Sequence, residues 1–309
     1  MRVLVTGASG FIGGRLARRL REQGEQVRCL VRSPDTAPSR LLAEEGFEIH
    51  VGDVLRPETL AGAGRDIDVG YYLVHSMGRG GEGADFAEQE RRAAEAFARM
   101  AVNEGVGRLI YLGGLGDRPG SKHLRSRHET ARQLQAHGPP LSYFRAGMVV
   151  GANSESYRTL RYLVERLPAM IAPAWLSTKT QPIGIDDVLG YLSRAPHVEA
   201  SAGRELQIGG PDILTYAQML DVMARALGKQ PRPKVPVPFI TPWLSSLWIG
   251  LVTPVDANIA RALIEGLSTE TIVTDDSARK LFDIEPATFV ATLRQTLAED
   301  DATREQARS

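Results

Sequence analysis

Thr6-Gly7-Ala8-Ser9-Gly10-Phe11-Ile12-Gly13 follows directly on the apolar run Val3-Leu4-Val5. The run reads as a first strand and the stretch after it as a first helix, with Ile12, Leu16 and Leu20 on one face. The glycines therefore stand where strand turns into helix. Gly7 suits a tight turn at positive φ, Gly10 lets a backbone approach a pyrophosphate, and Gly13 lets helix and strand pack closely. Helix N-termini carry unpaired N–H groups and positive dipole charge, which phosphates accept. Gly7, Ser9, Gly10, Phe11, Ile12 and Gly13 are accordingly the candidate residues for the pyrophosphate of a dinucleotide.

Working outward, apolar runs alternate with helical patterns. Strands are expected at 2–6, 27–31, 47–51, 69–74, 108–112 and 141–144, with helices at 14–22, 39–45, 57–61, 84–103 and 125–136. This alternation predicts an α/β fold, a doubly wound parallel Rossmann sheet with a smaller C-terminal substrate lobe. Residues 1–210 are expected to form the nucleotide domain, with 152–182 contributing to the lobe that 211–309 completes. Residues 183–185 and the helix 186–194 read as a return to the main sheet, and 205–208 as a further strand. The polar end, from Glu299 to Ser309, reads as frayed.

Lysine plus arginine and aspartate plus glutamate each number 37 in 309 residues. A neutral chain offers no overall field for nucleic acid. Arg15, Arg18, Arg19 and Arg21 lie mostly on the polar face of the first helix and read as a solvated face. Cys29 is the single cysteine and sits in an apolar run, as a small core residue. The chain opens straight into a strand with no signal region, so a cytoplasmic location is expected. Val235 to Val255 carries no charge but contains Pro236, Pro238, Pro242 and Pro254. Its longest proline-free piece makes a helix of about 16 Å, against a hydrocarbon core of about 30 Å, so no transmembrane span is expected. It reads either as internal packing or as an exposed apolar lip over a substrate cleft or lipid surface, the latter allowing peripheral membrane contact. Oligomeric state is not legible in the sequence.

The strand ends supply further candidates. NAD sites place an acid about 20 residues past the glycines; here Arg32 and Ser33 close the second strand. A guanidinium there suits a ribose 2′-phosphate, so NADP(H) is preferred over NAD(H). The other reading of Arg32 is an exposed loop arginine. Asp53 and Val54 follow the third strand, as an adenine subsite or as a turn. Leu73, Val74 and His75 close the fourth and face the adenine ribose and pyrophosphate. His75 reads equally as a histidine satisfied at a strand end. The six histidines show no metal-ligand spacing, and no metal site is expected.

Together these motifs resemble the short-chain dehydrogenase/reductase superfamily, in its extended and atypical branches. The resemblance rests on the glycine turn, Gly52-Asp53-Val54, Tyr111-Leu112-Gly113-Gly114, Arg145-Ala146-Gly147-xxx-Gly151 and Pro182-Ile183-xx-Asp186-Asp187-Val188. Tyr72-Leu73-Val74-His75-Ser76-Met77-Gly78 and Tyr111-Leu112-Gly113-Gly114-Leu115-Gly116 point to atypical members. The likeness is close over roughly residues 1 to 210 and loose beyond them. It implies a nicotinamide cofactor and, in catalysing members, a strand-5 Ser or Thr followed by Tyr-xxx-Lys on the next helix. This chain departs from that pattern. Gly113 or Gly114 stands at the strand position, and the best register puts His123 and Arg127 at the Tyr and Lys positions. A histidine can donate a proton near neutral pH, and an arginine can hold a ribose. The alternative is a solvated, basic helix start. Tyr143 and Tyr157 are other conceivable acids without a motif behind them.

The expected function is an NADP(H)-dependent oxidoreductase on a small, hydrophobic molecule. A non-catalytic NADP(H)-binding sensor or scaffold, and an epimerase or isomerase that recycles its cofactor, are the alternatives.

Overall fold

The computed structural model describes residues 1–74, 84–116, 122–166, 170–172, 174–236 and 267–306. Six strands alternate with helices over the first half of the chain: β1 (Arg2–Thr6), α1 (Phe11–Glu22), β2 (Gln26–Val31), α2 (Ala37–Glu44), β3 (Glu48–Val51), β4 (Val69–Tyr72), α3 (Ala84–Asn103), β5 (Arg108–Gly114), α4 (Lys122–His137) and β6 (Leu141–Ala146). Then follow β7 (Val149–Val150), α5 (Glu155–Arg166), β8 (Met170–Ala172), β9 (Lys179–Thr180), β10 (Ile183–Gly184), α6 (Ile185–Arg194) and β11 (Glu205–Ile208). The last described elements are β12 (Leu214–Thr215), α7 (Tyr216–Ala226), β13 (Lys234–Pro236), α8 (Ser277–Phe282) and α9 (Phe289–Gln306).

Seven strands form one parallel sheet in the order β11-β6-β5-β4-β1-β2-β3. Strand order reverses between β1 and β4, which opens a crevice at their carboxyl ends. Two apolar layers sandwich the sheet. One packs α1 and α6 against Val3, Val5, Tyr71 and Ile110; the other packs α3 and α4 against Leu4, Tyr72, Leu109 and Tyr111. Strands buried on both faces explain the continuous apolar runs of the sequence.

A third apolar cluster joins Tyr157 and Leu160 of α5, Met219 and Met223 of α7, and Leu293 and Leu297 of α9. It thus combines residues from 150–176 with residues beyond 211. Phe282 of α8 instead packs edge-on against Phe144 and Tyr191 beside the main sheet.

Three expectations are corrected. Residues 183–184 do not rejoin the main sheet; they pair with Val149–Val150 in a separate two-stranded ladder. The C-terminal residues 299–306 are not frayed: they lie in α9, where Asp300 is buried against Arg161 of α5. The arginines of α1 are not a free solvated face. Arg18 donates twice to the Glu45 carboxylate at 2.8 Å, Arg15 donates to Glu299 at 2.7 Å, and Arg21 lies over the Phe47 ring. The Arg18 hydrogen bonds hold Glu45 below the usual carboxylate range.

Cys29 is fully buried, and burial pushes its thiol up to about 12. Among the described residues no helix is long and apolar enough to cross a membrane. Most of the apolar stretch, residues 237–255, lies outside the described residues.

Candidate functional site: a cofactor cleft at the strand ends

The glycine turn is built as its spacing requires. Gly7 has φ +65°, and a Cβ there would stand 2.5 Å from the Leu73 carbonyl oxygen. Gly10 donates its N–H to the Gly7 carbonyl at 2.8 Å, which closes the turn. A Cβ on Gly13 would lie 2.2 Å from that same carbonyl oxygen. Gly10 caps α1 with extended backbone and no side chain, so the first N–H groups of the helix face outward without an internal partner. Phe11 begins the helix, its ring beneath the Arg15 guanidinium at 4.6 Å. Ser9 is exposed and Ile12 half-buried. Leu73 is fixed beside the turn because its N–H donates to Thr6 Oγ1 at 2.9 Å.

A small open cleft lies at the carboxyl ends of β2, β3 and β4. Arg32, Asp53, Val54 and Val74 line it, which brings together residues from the ends of β2, β3 and β4. Arg32 is exposed, and no carboxylate among the described residues pairs with it. Ser33 is not part of this lining; its Oγ accepts the Asp35 N–H at 3.3 Å. Asp53 combines both readings of its sequence position. Its Oδ1 accepts the Leu55 N–H at 3.0 Å, as a turn residue does, while the residue forms part of the cleft wall. His75 lies outside the described residues.

Sequence reasoning missed the rest of the lining: Leu55, Tyr72, Gln89, Glu90 and Ala93, and Thr130 of α4. The signal was present. Glu90 precedes the buried Ala93 and Ala94 by three and four residues, which puts it on the packed face of α3. Ser126 Oγ donates to the Glu90 carboxylate and so links α3 to α4.

At the end of β5 there is no room for a hydroxyl-bearing side chain. A Cβ on Gly113 would meet the Tyr143 ring at 2.7 Å and its hydroxyl at 2.9 Å; one on Gly114 would meet Leu124 at 2.7 Å. Arg127 lies alongside, its Cδ 3.6 Å from that second position. The side chain of His123 lies outside the described residues. Tyr143 is 2% exposed, stacks on Tyr111 at 5.3 Å and meets His128 Nδ1 at 3.4 Å. His128 Nε2 donates to the Gly116 carbonyl at 3.0 Å, since a carbonyl only accepts. Burial pushes the Tyr143 hydroxyl up to about 12, partly opposed by Arg145. Tyr157 is wholly buried, and its hydroxyl donates to Asp300 at 3.0 Å. Neither tyrosine is an exposed acid.

Comparison with known proteins agrees with this geometry. Residues 7–146 match the model of the NAD(P)H-binding family. The mitochondrial NADH dehydrogenase 1 alpha subcomplex subunit 9 of Arabidopsis thaliana is 23% identical over 296 residues, covering 89% of this chain and 71% of that protein. A 3-beta-hydroxysteroid dehydrogenase of Mycolicibacterium neoaurum is 36% identical over 116 residues, 36% of this chain and 28% of the enzyme. The triphenylmethane reductase of Citrobacter sp. complexed with NADP(H) shares the fold, with a TM-score of 0.71, 18% identity, 96% of this chain and 100% of that one covered. The glycine turn and the crevice agree with that match: over residues 7–146 the chain is similar to the NAD(P)H-binding family, on a Rossmann-like sheet.

Proposed function

We propose that this protein is an NADP(H)-dependent oxidoreductase that transfers hydride to or from a small, apolar carbonyl compound or activated alkene. The observation that carries this reading is Arg32, an exposed guanidinium without a carboxylate partner among the described residues, in the cleft at the strand ends. The nicotinamide supplies the hydride; the protein supplies position, water exclusion and a proton. Gly7 to Gly13 hold the pyrophosphate, Arg32 and Ser33 the 2′-phosphate, and Asp53 and Val54 the adenine. Leu73, Val74 and His75 bound the adenine ribose. His123 donates the proton, and Arg127 holds the nicotinamide ribose. Residues 1–210 form the cofactor domain, with 152–182 and 211–309 making the substrate lobe, and the protein works in the cytoplasm. The reductase and dehydrogenase names among the relatives favour this chemistry.

A second reading is a non-catalytic NADP(H)-binding sensor or scaffold. Its support is the end of β5, where Tyr143 and Leu124 fill the space of the usual hydroxyl, together with the likeness to an NADH dehydrogenase alpha subcomplex subunit. An epimerase or isomerase that recycles its cofactor has less support, because it needs a second acid–base group.

Deuteride transfer separates these readings. NADPH deuterated at C4 is incubated with the protein and a metabolite extract, and products are read by mass spectrometry. Deuterium in a product, lost in His123→Phe, is the expected result. Tight binding with no transfer would select the sensor, and transfer that survives His123→Phe would remove that residue as donor.

The cofactor preference has its own test. Arg32→Ala should weaken NADPH binding by about 1.5–3 kcal/mol, on the order of 10- to 100-fold, through loss of a charge-assisted phosphate contact. NADH binding should stay within a factor of about two, since NADH has no 2′-phosphate. Equal losses for both cofactors in a fluorescence titration would show that Arg32 is not the discriminating group.

A further inference from the structure

Arg127 of α4 is half-buried, and no carboxylate among the described residues pairs with it. Its Nη1 stands 3.7 Å from where a Cβ on Gly114, the last residue of β5, would lie. Its charge draws the Tyr111 and Tyr143 hydroxyls down, against the burial that pushes both up. The carboxylates that bear on the same two hydroxyls are held by other groups: Glu90 accepts from Ser126, and Glu205 from Arg145. A half-buried cation without a counterion is costly, and a bound anion relieves that cost. In the reading above the adenosine lies toward β2 and β3, so the nicotinamide end crosses β4 toward β5. Arg127 is on that side, two strands from the glycine turn, or about 10 Å at the usual strand spacing. The nicotinamide ribose assigned to it has only neutral hydroxyls. They occupy some of the five N–H groups of the guanidinium and leave its charge unbalanced.

We infer that the substrate is an oxo acid: an otherwise apolar carbonyl compound with one carboxylate, which Arg127 binds. This rests on the oxidoreductase reading and narrows its substrate class. The planar fork of a guanidinium meets a carboxylate through two parallel hydrogen bonds. Arg145, the other cation bearing on Tyr143, already donates to Glu205 and to the Gly114 carbonyl. The charge left for a ligand by the described residues there is that of Arg127, which matches a carboxylate better than a phosphate ester. Held by its carboxylate, the substrate turns its carbonyl to the nicotinamide. Hydride adds to the carbonyl carbon, the C–O π pair moves onto the oxygen, and that oxygen takes one proton. The products are a hydroxy acid and NADP+.

The test is a calorimetric titration of the protein, saturated with NADPH, with hexanoate and with hexanamide, which share a tail and differ in charge. The wild type should bind hexanoate at least about tenfold tighter, as a charge-assisted pair requires. Arg127→Gln should bring the two within about threefold, since only neutral donors remain. The ratio is insensitive to loss of folded protein, because both constants come from one preparation. In the wild type alone, about 0.5 M chloride should weaken hexanoate severalfold by screening and leave hexanamide unchanged. Equal wild-type constants, no binding of hexanoate, hexanoate binding insensitive to salt, or a ratio unchanged in Arg127→Gln would overturn the inference. NADPH that does not bind, or deuteride that reaches no product in the assay above, would instead overturn the oxidoreductase reading on which it stands.

Discussion

Gly13→Ala should cost about 3 kcal/mol of stability and about 100-fold in NADPH affinity. The added Cβ would stand 2.2 Å from the Gly7 carbonyl oxygen and 2.7 Å from its carbon. Both are backbone atoms inside a closed turn, so no rotamer relieves the overlap and α1 must move away from β1. That movement takes the helix N-terminus off the pyrophosphate seat. Gly24→Ala is the comparison. Gly24 has φ +87° with nothing within 4 Å of the added atom, so it bears only the backbone penalty of about 1–2 kcal/mol and keeps its affinity. Urea unfolding and NADPH titration of both variants check the pair. If Gly13→Ala bound NADPH within threefold of wild type, the turn would not be what holds the cofactor.

Asp300→Ala should cost about 3 kcal/mol. Asp300 Oδ2 accepts Arg161 Nη1 at 2.6 Å and the Tyr157 hydroxyl at 3.0 Å, and Arg304 comes within 3.4 Å. Burial acts against the charge on Arg161, but hydrogen bonds to Tyr157 and Glu165 outweigh it and hold the guanidinium above its ordinary range. Alanine would leave that buried cation with less to balance it and a phenol without its acceptor. Asp301, one residue on, has a side chain 62% exposed and reaches Arg161 only at 3.6 Å. Asp301→Ala should therefore change stability by less than about 0.5 kcal/mol. Equal unfolding midpoints for the two variants would mean that the buried pair does not anchor α9.

These two sites mark how far the sequence could be read. β1 was legible to the residue and β2, β4, β5 and β6 to within a few positions, because strands covered on both faces are largely apolar runs bounded by turns; β3, at the sheet edge, is only half-buried. The glycine turn was legible for a related reason: its constraints act between residues six apart in the chain. α9 was not. Its second half, Glu299 to Gln306, is polar and shows no apolar face, and Asp300 is buried only because Arg161 lies 139 residues earlier. The α1 arginines were misread similarly, since Glu45 and Glu299 come from distant elements. Residues 183–184 have the composition of a sheet strand, but their partner is Val149–Val150. Arg32, Asp53, Val54 and Val74 were legible as strand ends. Glu90 was legible only as a helix face, whose meaning depends on which helix packs against it.

The crowding at the end of β5 bears on how this fold changes chemistry. Gly113 and Tyr143 occupy one volume between them, a bare backbone on one strand and a ring on the next. A serine placed at 113 collides before it can act, and a smaller residue at 143 alone leaves a hole beside Tyr111. Each step is disfavoured by itself, so an engineer placing a hydroxyl there must change both positions together. The two positions are coupled: neither can be changed to suit a hydroxyl without the other.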